Sequence, residues 1–240
     1  MSITDAKALT LNGRTLKKLE IGGRTVWEAA SEITLSAFSV GAEISIEETA
    51  GVFAPYIVIA HDHHGEGLTT LIRKYALAKS TRFHYTAYAE GEDYKSKYDG
   101  SELELTMTRT FNDLMAATQE KIAQVAVPTR SSALGSYTIV GVDARLFPLS
   151  EMEFSGSGYA EGSHIPYFDS AEKRIACTDG GTAQRSWTRT ISGGMPSYAR
   201  QISTSGSISS QYATGSVYVR PACCVQSSMP VTESGGVYIL

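Results

Sequence analysis

The chain has 240 residues, of which 42% are hydrophobic and 19% charged, and a formal net charge of −4. These values exclude wholesale disorder and provide no global positive field for nucleic acid or an anionic membrane. No apolar run approaches the roughly 18 residues a membrane-spanning helix requires, and 22 glycines and 13 tyrosines against 7 prolines favour β structure with many turns.

The opening Met-Ser-Ile-Thr-Asp-Ala-Lys has no basic segment followed by an apolar stretch, so no secretory signal is expected and synthesis is assigned to a cytoplasm. Residues 1–30 read as a small β element. Short strands surround Asn12-Gly13 and Gly22-Gly23 turn signals, and Leu16, Leu19, Ile21 and Trp27 supply its apolar positions. It is too short to bury a core alone and must pack on the main domain or on a neighbouring subunit. Ala29-Ala30-Ser31 is the joint to a second domain over residues 31–240.

That domain begins with alternation over Ile33–Ile46, then the buried-strand run Tyr56–Ala60 ending at His61, then a strand over Leu68–Ile72. The Tyr-rich stretch Phe83–Tyr98 has no clear period. Asp99-Gly100-Ser101 offers the cap of a helix whose Leu103, Met107, Phe111, Leu114 and Met115 recur at three- and four-residue spacing. A second short helix is expected from Thr118 through Val125, stopped before Pro128. After a Ser/Gly loop at Ser131–Ser136, Ala144–Leu149 is a strand and Ser150–Phe154 starts a helical turn. From Ser155 the predicted strands are short: Ser186–Ile191, Ala199–Ile202, Gly206–Ile208, Val217–Ala222 and Val237–Leu240. Between Gly181 and Thr232 the charges are four arginines and no acid.

Three groups of residues invite a functional reading. His61-Asp62-His63-His64 with Glu66 has metal-ligand chemistry, but consecutive residues at a strand exit alternate in direction, so at most two share an ion, and a polar loop is the favoured reading. Cys177, Cys223 and Cys224 lack zinc spacing, and adjacent Cys223 and Cys224 do not pair with one another; free buried thiols are favoured, with a bridge from Cys177 to either left open. Tyr159, Tyr167, Tyr198, Tyr212 and Tyr218, interleaved with serines, Arg185 and Arg200, have the composition of adaptable binding surfaces. A solvated β-loop surface or a subunit interface fits the same composition. Asp179-Gly180-Gly181-Thr182 reads as a turn, since one acid does not hold calcium.

Several fragments in order resemble a known family. They are Val58–His61 with Leu68–Ile72; Tyr94–Val127; Leu146–Phe154, similar to a "FLLSxxE" step; and Ser186–Thr190 with Val219–Ala222, similar to "WWLRS … GVRPA". The family is a domain of unknown function common in gut Gram-positive bacteria and their phages, similar to the C-type-lectin-like fold of formylglycine-generating enzymes. The resemblance implies an α+β, C-type-lectin-like domain with two short helices and a β-rich, loop-laden C-terminal half, preceded by the small β-hairpin element. Trp187, Arg189, Arg220 and Pro221 fall on its fold motifs and take structural roles, the tryptophan by packing and the arginines by binding loop carbonyls or a buried carboxylate. Thr188 and Cys223-Cys224 depart from its pattern.

Residues 1–30 resemble a β element of phage tail and baseplate proteins. The two resemblances together imply a non-enzymatic phage or prophage virion protein of the tail, baseplate or fibre, without cofactor or metal. It would dock to other virion proteins through residues 1–30 and bind a host-surface glycan or protein through Tyr159, Tyr167, Arg185, Tyr198, Arg200 and Tyr212. A homo-oligomer is expected, with no nucleic-acid partner and no membrane insertion. A capsid decoration or purely architectural protein is the first alternative. The other is a cysteine- or metal-dependent enzyme of the formylglycine-generating type, disfavoured because Cys223 and Cys224 fall on a core strand and Cys177 has no nearby base.

Overall fold

The computed structural model describes residues 33–85, 97–133 and 136–240, together with the backbone of four strands between residues 9 and 28. The chain divides into two compact units, Met1–Ile33 and Thr34–Leu240.

In the first unit, β1 (Leu9–Leu11) pairs antiparallel with β2 (Arg14–Leu16), placing Leu9 opposite Leu16. Strands β3 (Lys18–Ile21) and β4 (Arg24–Glu28) form a second ribbon with Leu19 opposite Trp27 and Ile21 opposite Arg24. The Asn12-Gly13 and Gly22-Gly23 turns, the Ala29–Ser31 joint and the packing of Leu16, Leu19, Ile21 and Trp27 lie outside the described residues.

The second unit is dominated by one nine-stranded sheet. After β5 (Ile33–Thr34) come β6 (Glu43–Thr49), β7 (Val52–His61) and β8 (Leu68–Arg73), an antiparallel meander. Ile44 and Ile46 alternate inward on β6, whereas Tyr56–Ile59 is buried throughout, as expected for a strand covered on both faces. Helix α1 (Glu102–Asn112) starts at Ser101, whose hydroxyl accepts from the Glu104 amide, and it buries Leu103 and Met107, four residues apart. Helix α2 (Ala116–Lys121) leads directly into β9 (Ile122–Ala123) and β10 (Val125–Arg130), which pairs with β11 (Ile139–Ala144).

Strand β12 (Leu146–Phe147) precedes α3 (Glu151–Ser155), then α4 (Ala171–Arg174) and the small hairpin β13 (Ala176–Cys177) with β14 (Ala183–Gln184). A three-stranded antiparallel sheet follows: β15 (Ser186–Ile191), β16 (Tyr198–Ile202) and β17 (Ile208–Tyr212). Finally β18 (Ala222–Gln226) enters the large sheet beside β8, and the hairpin β19 (Pro230–Ser234) and β20 (Val237–Ile239) sits between β6 and β5. The large-sheet order is β12-β18-β8-β7-β6-β20-β19-β5, with β9 also on β18.

This architecture corrects the expected fold class. The described residues form a mainly β protein with a large sheet and four short helices, not an α+β C-type-lectin-like domain. The second helix does not reach Val125. Its last residue is Lys121, because the alternation of buried Val125 and Val127 with exposed Ala126 suits a strand, and Pro128 fits β10 without a helical hydrogen bond. The strand expected at Ala144–Leu149 contracts to β12, preceded by β11, which the sequence reading did not anticipate. The strands expected at Gly206–Ile208 and Val217–Ala222 lie further along the chain, at β17 and β18.

The turn from β16 to β17 depends on Gly206, at φ +79°, where an added Cβ would sit 2.2 Å from the Ala171 carbonyl oxygen. Arg174 Nε donates to the Gly206 carbonyl at 2.9 Å, tying α4 to this turn. Gly206→Ala combines a left-handed backbone with a backbone clash, and should lower the unfolding free energy by about 2 kcal/mol or more, read from the urea midpoint.

Candidate functional site

The centre of the second unit is a buried ionic node built by α3 and β15. Ser150 and Glu153 form a reciprocal capping box: the Ser150 hydroxyl accepts from the Glu153 amide at 3.1 Å, and Glu153 Oε2 accepts from the Ser150 amide at 2.7 Å. The cap fixes the Glu153 carboxylate in the interior, facing Arg189 on β15. Arg189 Nη1 donates to Oε2 at 2.6 Å and Nη2 to Oε1 at 2.9 Å, with both side chains fully buried. The guanidinium also donates to the carbonyls of Pro128, Pro148 and Glu161, so all five of its N–H groups are used. Burial alone would raise Glu153, but Arg189 and the neighbouring imidazoles overcome it and hold the carboxyl well below its ordinary value.

Two histidines complete the node. The segment after β7 is not extended: Asp62 takes a positive φ of 57°, and the chain bends through His63 and His64. His64 Nε2 is 3.0 Å from Glu153 Oε1, and its Nδ1 is 3.1 Å from the Thr70 hydroxyl. His63 Nε2 lies 3.7 Å from the same carboxylate oxygen, its ring edge-on to His64 at 4.6 Å between centroids. Burial lowers His64 below its usual 6.5 despite the pull of Glu153, which favours the neutral ring. His61 turns away, bonded to the Thr69 hydroxyl and the Phe38 carbonyl, and Asp62 accepts from the Gly67 amide. Of the four consecutive residues, two therefore converge, and the carboxylate they meet is 89 positions away from His64.

A second carboxyl, Glu161, is held by the Arg130 amide at 2.7 Å and by a very short hydrogen bond from the Thr190 hydroxyl. Burial raises it to about 7, against the lowering effects of Thr190, Arg189 and Arg130. The Arg130 guanidinium sits in the corner between the rings of Tyr137 and Tyr159, 3.9 and 3.7 Å from their centroids, the two rings being edge-on to each other. Sequence reasoning passed over Glu161, Arg130 and Tyr137, which lie outside any recognisable motif.

The predicted loop residues separate into two places. Tyr198 and Tyr212 are cross-strand partners on β16 and β17, their rings 4.3 Å apart, and Tyr212 is 56% exposed. Arg200, two residues along the same face, is bound through Nε and Nη2 to the buried Glu151 at 3.0 and 2.7 Å and through Nη1 to Ser210 at 2.8 Å. It ties the tyrosine-bearing face of the sheet to α3. Arg185 is exposed and reaches Gln211 at 3.5 Å, and Tyr159 is stacked on Arg130. Tyr167 belongs elsewhere: with Val40, Ala60, His61, His63 and Lys173 it lines an open cleft of about 670 Å³.

The residues assigned to fold motifs sit in the interior. Trp187 is 1% exposed, donates from Nε1 to the Thr81 carbonyl at 2.9 Å and meets Phe83 edge-on. Arg220 donates to the carbonyls of Arg73, Lys173 and Ile175, and burial lowers it to about 10. Pro221 directs the chain into β18, its carbonyl accepting from the Arg73 amide at 2.8 Å. Cys177, Cys223 and Cys224 are all free; burial raises both β18 thiols, Cys224 to about 12, which suppresses the thiolate.

No curated protein and no solved structure matches the chain. Residues 66–227, which run from the bend after β7 to the end of β18 and carry Glu153, Arg189 and the Tyr198–Tyr212 sheet, match the family described as a domain of unknown function (DUF6273), and the chain belongs to that family.

Proposed function

We propose that the chain is a non-enzymatic binding protein of a phage or prophage virion, contacting a host-surface glycan or another virion protein through the face of the β15–β17 sheet. The observation that carries the binding role is the stacked Tyr198–Tyr212 pair, partly exposed on a sheet held rigid by Arg200 and Glu151. Two tyrosine rings give a broad contact area with few torsions to freeze, and Ser210, two residues from Tyr212 on the same face, supplies a hydroxyl. The virion assignment rests on the sequence resemblance of residues 1–30 to tail and baseplate elements. Docking to sister subunits or other virion proteins through those residues belongs to the same reading.

The test is binding of labelled protein to whole Gram-positive host cells and to their purified cell-wall polysaccharide. Wild-type protein should bind one of these. Tyr198→Ala/Tyr212→Ala should weaken binding at least tenfold, about 1.4 kcal/mol, while the melting temperature moves by only a few degrees. Equal binding by wild type and double variant, or binding to neither material, would overturn the host-surface reading.

A further inference from the structure

Among the described residues, one set of metal-ligating side chains converges: the donor atoms of His63, His64 and Glu153 lie within 4.8 Å of one another. We propose that these three residues bind a divalent transition-metal ion of the zinc class. In a tetrahedral site with metal–nitrogen and metal–oxygen distances near 2.0–2.2 Å, neighbouring donors stand roughly 3.3–3.5 Å apart. The separations from Glu153 Oε1 are 3.0 Å to His64 Nε2 and 3.7 Å to His63 Nε2, which bracket that value, while the two imidazole donors, within 4.8 Å of each other, must close on the ion by a turn of the His63 ring.

The surroundings prepare the ligands as metal sites require. Glu153 is ionised and locked in place by Arg189 and the Ser150 amide, so its orientation is set before any ion arrives. The Thr70 hydroxyl faces Nδ1 of His64 and fixes the ring plane. His63 is the one ligand of the three that lines the cleft, with His61, Tyr167 and Lys173 around it, so an ion enters from that side and keeps a coordination position for solvent or an oxygen ligand.

One competing interaction must be displaced. Glu153 accepts four hydrogen bonds: two from Arg189, one from the Ser150 amide and one from His64. Because the carboxylate is ionised and only accepts, the His64 proton resides on Nε2 without metal. The ion takes the place of that proton. The ring then carries its hydrogen on Nδ1 and donates it to the Thr70 oxygen, so the proton count of a neutral His64 is unchanged. Arg189 withdraws charge from the carboxylate and weakens the site relative to one with a free glutamate, but leaves the oxygen lone pair facing His64 available.

The experiment uses untagged full-length protein freed of metal by a chelator and titrated with Co(II) and Zn(II). Absorption of bound Co(II) and competition with a chromophoric chelator report stoichiometry and affinity, and ¹⁵N histidine spectra report the tautomer. The expected result is one ion per chain, a His64 tautomer change from Nε2–H to Nδ1–H, and at least tenfold weaker binding by His63→Ala. His61→Ala, which removes a neighbouring imidazole already bonded to Thr69 and Phe38, should bind as wild type does. No binding, unchanged binding by His63→Ala, or loss of binding with His61→Ala instead would each overturn the proposal. Because His63 contributes only the 3.7 Å contact with Glu153 and the edge-on contact with His64, His63→Ala should still fold, which a cooperative urea transition checks. The spectra of wild type decide the matter independently.

Discussion

Glu153→Gln should destabilise the second unit by about 3–5 kcal/mol, the cost of leaving a buried charge without its partner. The substitution changes volume hardly at all, so the loss isolates electrostatics from packing. Arg189 has no route to water: it is fully buried, and its remaining donors already serve three main-chain carbonyls. Set against a typical domain stability of about 5–15 kcal/mol, the loss removes about a fifth or more of the total. The measurement is the urea midpoint with an unchanged slope. A double variant, Glu153→Met/Arg189→Met, should recover part of the loss, since no charge remains buried. Recovery is incomplete because the carbonyls of Pro128, Pro148 and Glu161 lose the donors Arg189 provided. A cost below about 1 kcal/mol for Glu153→Gln would show that the pair does not organise the interior.

Glu161 should contribute a loss of stability as pH rises from 5.5 to 8.5, read as the difference between wild type and Glu161→Gln. Its folded-state value of about 7 lies above its ordinary 4.5, so the folded protein holds the proton more tightly than the unfolded chain does. The stabilisation from that proton is complete below about 4.5 and is lost as pH rises through 7. Over the stated interval the loss is about 2 kcal/mol, taking 1.36 kcal/mol per tenfold change in proton affinity. Glu153 has the opposite sign. Held below its ordinary value, it stabilises above about 4.5 and loses that contribution as pH falls further. Glu161→Gln, which keeps an acceptor for the Arg130 amide and presents an amide to Thr190, should flatten the fall between pH 5.5 and 8.5. Parallel curves for wild type and variant would contradict this origin.

The sequence reading recovered local structure better than architecture. The bounds of β15 were legible because Ser186–Ile191 is a continuous strand between turn signals, and Ser101 and Ser150 announced the starts of α1 and α3. The α+β expectation failed at Val125–Arg130, where an Ala/Gln/Glu/Lys run before it suggested helix while the alternation of Val125 and Val127 belonged to a strand. The node was half visible. Its glutamate and arginine each lay on a recognisable step of the sequence, 36 residues apart, but nothing local states that one faces the other. Nor does sequence show that the bend after His61 turns two imidazoles toward a residue on α3, since convergence across such separations is a product of the tertiary fold.

The far end of the large sheet joins opposite ends of the second unit. Leu35 and Ser36 donate to the carbonyls of Met229 and Ser227, and β20 lies parallel to β6 with Ile239 opposite Ser45. Assembly order follows from this connectivity. The β6–β8 meander can form while the rest of the chain is still being made, but β6 keeps an open edge until the final hairpin arrives. That closing step brings together segments nearly the whole domain apart, the slowest kind of contact to form. Until then the nascent sheet displays an unpaired strand to any neighbour. Strand β20 thus covers the β6 edge against pairing with another copy of the chain.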